Sequence, residues 1–437
     1  MNEASHVPMA RLAWLPRSLR PPVPIPLAHM RIMWLVGIAA MIAAYDLTMF
    51  GMALKQIQAD LRIPEDEIAL TNAIFRLGIV PAVFVSMLAD RFGRRRLLMV
   101  TILGSAIFTM LTGFSQSHAQ LTGFQLFVRM FAYAEDMLCI VVIAEEFDEK
   151  ARGWAIGMIG ALGGLGGGVA AIAYGLLGPL EDGWRYLYIL GAVPLFVLAF
   201  LRRRLVETRR FENYATSRMH QTHTMRDWLE PAMFLLRQYP GRLALLAAAL
   251  FPLGFAIAAP FLMISKHMQE AHGITPGGVT IVIIAGGGIA IIGNFVAGLL
   301  SDRVGRRGVF VIACLGLVAG LMTFYNAPTP TLAIAGFIIG IFFYFAADVI
   351  LAAFGAELFP TSYRSTASAV RLLLWIIAGA IGLALQGQIF NALGSHAAAN
   401  TALLAVGPLS ILFVPFLPEP SRKTLEEIAP ERIIDAA

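Results

Sequence analysis

Long apolar runs alternate with short polar stretches along almost the whole chain. A run of about 20 residues, at a rise of about 1.5 Å per residue, crosses the ~30 Å hydrocarbon core of a bilayer as an α-helix. Twelve such runs occur, six on each side of a longer polar break, so the pattern predicts an all-α membrane protein with twelve transmembrane helices. These spans, numbered 1 to 12, are predicted at residues 31–54, 68–89, 97–115, 120–144, 153–177, 186–201, 243–265, 277–300, 308–326, 331–355, 366–390 and 398–417.

Composition and the placement of basic residues support this topology. Hydrophobic residues make up 58% of the chain and charged residues 14%, which is too apolar for a soluble domain of this length. Arginine and lysine favour the cytoplasmic side of span ends, and a cytoplasmic amino terminus leaves only four of them in outer loops. The four are Lys55, Arg62, Arg185 and Lys266. We therefore predict a multi-pass protein of the plasma or inner membrane with both termini cytoplasmic. Because topology explains the net charge of +5, no nucleic-acid partner is expected.

The polar stretches divide the chain into five segments. Residues 1–30 and 418–437 are predicted cytoplasmic tails, and 31–201 and 243–417 are two six-helix bundles. Between them, 202–242 is predicted to be a cytoplasmic linker that contains an amphipathic helix on the membrane surface. No cleavable signal peptide is expected, since no short apolar core precedes a small-residue cleavage site.

One charged turn occurs twice, as Asp90-Arg91-Phe92-Gly93-Arg94-Arg95 and as Asp302-Arg303-Val304-Gly305-Arg306-Arg307. Other charged pairs recur at the same interval, which is almost half the chain, and this indicates a duplication into two pseudo-symmetric bundles. Glycine permits a sharp turn, and charged groups at a moving interface can pair in one conformation and separate in another. The predicted cytoplasmic gate consists of Asp90, Gly93, Arg94, Glu145 and Arg152 in the first copy and Asp302, Gly305, Arg306, Glu357 and Arg364 in the second.

These turns resemble the loop signature of the major facilitator superfamily. Its sugar-porter-like branch, which includes organic-acid:proton symporters, is resembled at Glu207-Thr208-Arg209-Arg210-Phe211, Glu357-Leu358-Phe359-Pro360-Thr361 and Pro418-Glu419-Pro420. Ser86 and Tyr133 stand where the family usually has glycine. The resemblance implies the major facilitator fold and transport by alternating access of two bundles.

Three charges fall within membrane spans at a similar height, namely Asp46 in span 1, Arg76 in span 2 and Arg129 in span 4. A charge in this position is costly without a partner or water. The resemblance implies that Asp46 takes and releases the transported proton, and we expect Arg76 or Arg129 to be its partner. The alternative is a permanent ion pair that only holds the helices together.

Arg129, Tyr133 and Asp136 share one helical face because they follow i, i+4, i+7 spacing. Arginine suits bidentate capture of a carboxylate, so this face is a candidate site for an organic anion. The alternative is an Arg129–Asp136 pair within the helix. Further candidate substrate contacts are Arg76, Trp375, which can stack on a ring, and Gln386. For Arg76 the alternative is the permanent ion pair, and for Trp375 it is lipid or helix packing.

The sequence thus predicts a secondary active transporter, most simply one for proton-coupled uptake of a small organic solute, with an organic or aromatic acid favoured. The alternatives are a sugar or polyol symporter or facilitator, an exporter, and a solute sensor that does not transport. No enzyme activity, cofactor or metal is expected, because no P-loop or cluster of catalytic or metal-binding residues occurs. The expected partners are the substrate, the proton and the lipid bilayer, with the protein acting as a monomer.

Overall fold

The structure, a computed structural model, describes residues 20–21, 23–147, 149–203, 225–360 and 363–419. In this part of the chain the regular secondary structure is helical, which confirms the predicted all-α fold class. The helices before the polar break are α1 Leu27–Met52, α2 Leu54–Leu61, α3 Ile68–Arg76, α4 Ile79–Met87, α5 Ala89–Phe92, α6 Arg94–Gly113, α7 His118–Glu146, α8 Glu149–Leu177 and α9 Gly183–Arg202.

The remaining helices begin with α10, which occupies the carboxyl-terminal part of the predicted linker. They are α10 Met225–Gln238, α11 Pro240–Leu262, α12 Ile264–His272, α13 Pro276–Val304, α14 Arg306–Asn326, α15 Pro330–Glu357, α16 Arg364–Leu393 and α17 His396–Leu404. Span 12, predicted as one helix, consists of α17 followed by two 3₁₀ segments, Gly407–Leu412 and Val414–Phe416. Span 2 is divided into α3 and α4 by a break at Leu77 and Gly78.

Eleven described helical segments are long and apolar enough to cross a membrane. The remaining predicted span is α7, which has 29 residues but carries Arg129, Glu135 and Asp136 near its centre. Its length fits a membrane crossing, whereas its charges keep it below the apolarity of the other eleven. The charged helix is therefore where polar chemistry is concentrated inside the predicted bilayer.

The described residues divide into two compact units. The first contains the described parts of Met1–Arg62 and Ile74–Gln221, and the second contains Ile63–Ala73 and the described part of Thr222–Ala437. In the first unit α1 packs on α8, and α7 packs on α4 and α6; in the second, α11 packs on α16, and α15 packs on α13 and α14. Corresponding spans therefore make corresponding contacts, as expected of a duplicated chain.

Short turns connect the helices, and hydroxyl side chains cap several of them. Ser117, Thr275, Thr329 and Ser395 each accept a hydrogen bond from a backbone N–H in the first turn of the following helix. Such a cap satisfies one of the N–H groups that a helix leaves unpaired at its start. The ends of α7, α13, α15 and α17 are thus fixed locally, and with them the register of the side chains on each helix.

Candidate functional site

Asp46 on α1 and Arg129 on α7 form a buried ion pair in the first unit. Arg129 Nη1 lies 3.2 Å from Asp46 Oδ2, and Arg129 Nη2 lies 3.5 Å from the Asp46 backbone oxygen. Only 4% of Asp46 and 2% of Arg129 are exposed. Of the two partners predicted for Asp46, the structure therefore brings Arg129 to it, while Arg76 lies half-buried at the end of α3.

The position of Arg129 depends on close packing between the helix break at Gly78 and α7. A Cβ atom at Gly78 would lie 2.8 Å from both the Leu126 carbonyl oxygen and the Met130 amide nitrogen, and 3.0 Å from Arg129 Cβ. Such distances to backbone atoms are too short for any side chain to be accommodated. Glycine at this position allows α4 to approach α7 beside the ion pair.

Polar groups around Asp46 are only partly satisfied. Among the described residues, Asp46 Oδ1 accepts no hydrogen bond of normal geometry, although Gln125 and Thr109 lie beside the carboxyl group. Tyr45 donates from its hydroxyl to the Leu187 carbonyl oxygen at 2.9 Å and so joins α1 to α9. The carboxylate of Asp46 therefore keeps acceptor capacity for a proton or a water molecule.

A second buried ion pair, which sequence reasoning missed, joins Glu135 on α7 to Arg202 at the end of α9. Arg202 Nη1 donates to Glu135 Oε1, and the Thr101 hydroxyl donates to Glu135 Oε2. Arg202 Nη2 also donates to the Leu35 carbonyl oxygen at 3.0 Å. Arg202 has no exposed surface, and Glu135 is 4% exposed. The sequence placed Arg202 at the start of the basic linker, where exposure would be normal.

The alternative interpretation of α7 required an ion pair within the helix, between Arg129 and Asp136. Arg129 binds Asp46, Tyr133 is half-buried, and Asp136 is exposed on the surface of the protein. The alternative of an Arg129–Asp136 pair is therefore not what the structure shows. Tyr133 and Asp136 as substrate contacts stay predictions.

In the second unit, Trp375 and Gln386 lie in different surroundings. Trp375 is half-buried on α16 and packs beside Gly254 of α11. Gln386 is fully buried: its Nε2 atom lies 3.6 Å from Met263 Sδ and 3.0 Å from His396 Nδ1. The ring of Trp375 is thus partly accessible, whereas Gln386 is enclosed by protein.

Gln386 adjoins a charged cluster within the second unit. Glu65 Oε2 lies 2.6 Å from Lys266 Nζ and 2.7 Å from His396 Nε2. Lys266, which the sequence places in an outer loop, is only 2% exposed. Nearby, burial and the neighbouring His272 lower the pKa of His267 to about 4, so this imidazole is neutral at physiological pH.

The two copies of the charged turn share one backbone geometry. Gly93 has φ 97° and Gly305 has φ 110°, and each residue immediately precedes a helix. In the second copy, Arg306 binds both carboxylate oxygens of Glu357 at 2.6 Å, and the backbone N–H groups of Arg306 and Arg307 donate to Glu419. This is a bidentate, charge-assisted pair of the strong kind.

The first copy is described less fully. Arg94 Nη1 lies 3.5 Å from the Ala89 carbonyl oxygen. The remaining predicted gate side chains lie outside the described part of the structure, and their roles stay predictions. They are Asp90, Glu145, Arg152, Asp302 and Arg364.

Comparison with known proteins gives a family and a fold. The model described as Major Facilitator Superfamily matches residues 36–264 and 244–433. A "Probable 4-methylmuconolactone transporter" of Cupriavidus pinatubonensis is 26% identical over 398 residues, which cover 88% of this chain and 89% of the relative. A "Cis,cis-muconate transport protein" of Acinetobacter baylyi is 24% identical over 336 residues, covering 76% of this chain and 80% of the relative.

A solved structure supports the fold. The crystal structure of a D-xylose-proton symporter superposes with a TM-score of 0.74 over 91% of this chain and 99% of that chain, at 14% identity. At this identity the likeness shows the fold alone. Together with the family match, it confirms the predicted resemblance and makes this protein a multi-pass membrane transporter rather than an enzyme.

Proposed function

The chain belongs to the Major Facilitator Superfamily, and we propose that it takes up a small organic acid together with protons. Asp46 is the proposed proton-binding group, and Arg129 is its partner while the carboxylate is ionised. The observation that carries this proposal is the buried ion pair between these two side chains on α1 and α7.

The pair supplies a simple coupling mechanism. An ionised carboxylate buried in a membrane protein needs a counter-charge, whereas a protonated one does not. A guanidinium binds carboxylates strongly, so Arg129 can serve either Asp46 or a substrate acid. When the substrate takes Arg129, Asp46 loses its counter-charge and binds a proton. Release of the acid and the proton restores the ion pair, and each acid is carried with a proton.

The chemistry of the named relatives supports an acid as the substrate. Muconate is a dicarboxylate, and 4-methylmuconolactone belongs to the same group of small unsaturated acids; both appear in the names of relatives that align with most of this chain. Among the described residues, Arg129 pairs with a carboxylate, that of Asp46. Tyr133, one turn further along α7 and half-buried, offers a phenol beside this site.

We expect purified protein in liposomes to accumulate cis,cis-muconate when the outer solution is more acidic than the lumen. Asp46→Asn should abolish this accumulation, because an amide cannot bind and release the proton, while exchange of labelled for unlabelled muconate at equal pH should continue. Uptake of radiolabelled muconate checks both expectations. A panel of organic acids that includes 4-methylmuconolactone, run beside D-xylose, tests the substrate class.

The matched control is Glu181→Gln, which makes the same kind of change at an exposed carboxylate between α8 and α9. It should accumulate muconate like the unchanged protein. Accumulation that persists in Asp46→Asn would reject Asp46 as the proton site. Accumulation of D-xylose but of no acid would favour a neutral solute as the substrate.

A further inference from the structure

Glu135 lies deeper along α7 than Arg129, towards the end predicted to be cytoplasmic. The two residues are six positions apart, which corresponds to about 9 Å along a helix. Both oxygens of Glu135 are engaged, by Arg202 and by Thr101. The unit therefore contains two buried carboxylates, Asp46 and Glu135, each held by its own arginine.

A small cavity is lined by residues that include both Asp46 and Glu135. It has a volume of about 20 Å³, and its lining is mostly apolar; the polar residues in it are Asp46, Glu135, Ser105 and Thr109. A buried water requires about 10–15 Å³ and two or more polar partners, so the cavity is large enough for one water molecule. Within the described residues, Asp46 Oδ1 and Thr109 Oγ1 are buried without a hydrogen-bond partner of normal geometry. Both atoms belong to residues that line this space.

The hydroxyl groups of α6 are arranged to carry water between the two acids. Thr101, Ser105 and Thr109 follow at intervals of four residues, and all three are buried. Successive hydroxyls on such a stripe are about 6 Å apart along the helix. Two O–H···O hydrogen bonds of about 2.8 Å reach at most about 5.6 Å, so a chain of water molecules and hydroxyl groups is needed to cover the stripe. The stripe ends at Thr101, which already donates to Glu135.

We propose that Glu135 is a second proton-binding group, which exchanges protons with Asp46 through water in this cavity. The inference rests on the proposed function, since it extends the path of the proton that Asp46 takes up. Protonated Asp46 gives its proton to water in the cavity, and the proton passes along water and the hydroxyl groups of α6, each accepting one proton and donating another, to the carboxylate of Glu135. Glu135 then releases this proton to the inner aqueous phase and returns to its ion pair with Arg202.

Glu135 is surrounded by charged and titratable groups. The charged and titratable groups that face Glu135 from the packed helices are Arg202 on α9, Asp136 and Cys139 on α7, and Asp46 on α1 across the cavity.

The test separates proton movement from substrate movement. In liposomes, Glu135→Gln should lower muconate accumulation driven by a pH gradient by about tenfold or more, the scale of a lost proton-transfer group. Exchange of labelled for unlabelled muconate at equal pH should stay within about twofold of the unchanged protein, since a relay acts only on the proton. Ser105→Ala, a milder change, should slow the pH-driven rate and leave exchange intact, while Ser86→Ala on α4, outside the cavity lining, is its control.

The outcomes distinguish the two proposals. If Asp46→Asn abolishes pH-driven accumulation and Glu135→Gln does not, the relay is rejected and the proposed function stands. If Asp46→Asn itself leaves accumulation intact, the proposed function fails. A third outcome would also reject the relay. If Glu135→Gln loses accumulation and exchange equally while Ser105→Ala behaves like the unchanged protein, Glu135 has a structural role only.

A second measurement needs no substrate. Infrared titration of the protein in lipid follows the C=O stretching band of protonated carboxyl groups. We expect part of this band to disappear in Glu135→Gln and a different part in Asp46→Asn. A spectrum in which Glu135→Gln removes nothing at any pH would show that Glu135 never binds a proton and would overturn the inference.

Discussion

Arg129 and Asp46 are held together by a single contact between Nη1 and Oδ2, with a longer bond to the backbone. A pair with this geometry is easier to separate than a bidentate one such as Arg306 with Glu357, in which two bonds of 2.6 Å must break. Both pairs have proposed roles in which they open: coupling requires the first pair to open in each transport cycle, and the second belongs to the predicted cytoplasmic gate.

Removal of one partner of the buried pair should cost more stability than removal of both. Arg129→Gln leaves Asp46 buried without a counter-charge, and we expect the free energy of unfolding to fall by about 3–5 kcal/mol. The double variant with Asp46→Asn should recover most of this loss, because no charge then remains buried. Thermal unfolding in lipid nanodiscs, analysed as a double-mutant cycle, measures the coupling.

Arg203→Gln provides the control, since it makes the same change at an exposed arginine just beyond α9. It should change the unfolding temperature little. Single and double variants that lose equal stability would contradict an energetic coupling between Asp46 and Arg129. Ligand binding adds a second readout: cis,cis-muconate should stabilise the unchanged protein more than its neutral diamide, and Arg129→Gln should remove this difference.

At single residues, the sequence predicted one buried pair and missed the other for a physical reason. Asp46 and Arg129 stand out because each is an isolated charge in an apolar run. Arg202 begins a run of three arginines at the predicted end of span 6, where a charge reaches water at little cost. Only the packing of α9 against α6 shows that its side chain turns inward to Glu135. Two signals in the sequence indicate a polar interior there: the stripe of hydroxyls on α6, and Glu135 itself, a carboxylate within predicted span 4.

At the scale of elements, the charged turns show how one residue determines where a helix begins. Gly93 combines φ 97° with ψ 145°, and Gly305 combines φ 110° with ψ 147°. This is a backbone region that only glycine adopts readily. The glycine ends one helix and lets the next start at once, so Arg94 and Arg306 occupy the first position of α6 and α14.

Replacement of the turn glycine should therefore destabilise the second unit. We expect Gly305→Ala to lower the free energy of unfolding by about 1–3 kcal/mol, because alanine is strained at this φ. Gly308→Ala is the control, since Gly308 lies within α14 and a Cβ atom there would meet only Val304 Cγ1 at 3.9 Å. It should be neutral or slightly stabilising. Denaturation in mild detergent compares the two, and equal effects would mean that the turn imposes no backbone constraint.

Element boundaries were predictable where apolar length determines them and unpredictable where local packing does. The ends of α7, α14 and α15 lie within a few residues of the predicted spans. The break between α3 and α4 was missed, although Pro81 is a signal for it: proline has no N–H to donate to the Leu77 carbonyl oxygen four residues before it, and Gly78 lets the chain approach the backbone of α7 there. The 3₁₀ segments after α17 were also missed, although Pro408 and Pro415 lie within them.

At the scale of the whole molecule, the duplication was visible in the sequence and is repeated in the packing of each unit. Corresponding spans pack in corresponding pairs, as α1 with α8 and α11 with α16. The chemistry is not duplicated in the same way: the two buried carboxylate–arginine pairs Asp46–Arg129 and Glu135–Arg202 lie in the first unit, whereas the second unit pairs Asp348 with Arg371 at 3.6 Å near its surface. This contrast is consistent with the proposal that Asp46, in the first unit, is the proton-binding group.

The orientation in the membrane remains a proposal that rests on the asymmetry of basic residues, with both termini cytoplasmic. It predicts which turns an impermeant thiol reagent can reach in intact cells. Single cysteines at Gln116 and Pro328, both exposed in predicted outer turns, should be labelled from outside. Cysteines at Arg96 and Arg303, exposed at predicted inner turns, should be labelled only after the membrane is made permeable.

The native thiols leave this experiment clear, because Cys139 and Cys314 are both buried, and the unchanged protein should take up no label. If all four positions are labelled in the opposite sense, the topology is the reverse of the predicted one. The proposed path from Asp46 to Glu135 would then carry protons in the opposite direction. If only one of the two predicted inner positions is labelled from outside, the number of membrane crossings differs from the predicted twelve. The predicted pattern at all four positions is therefore required for inward proton flow and for uptake rather than export.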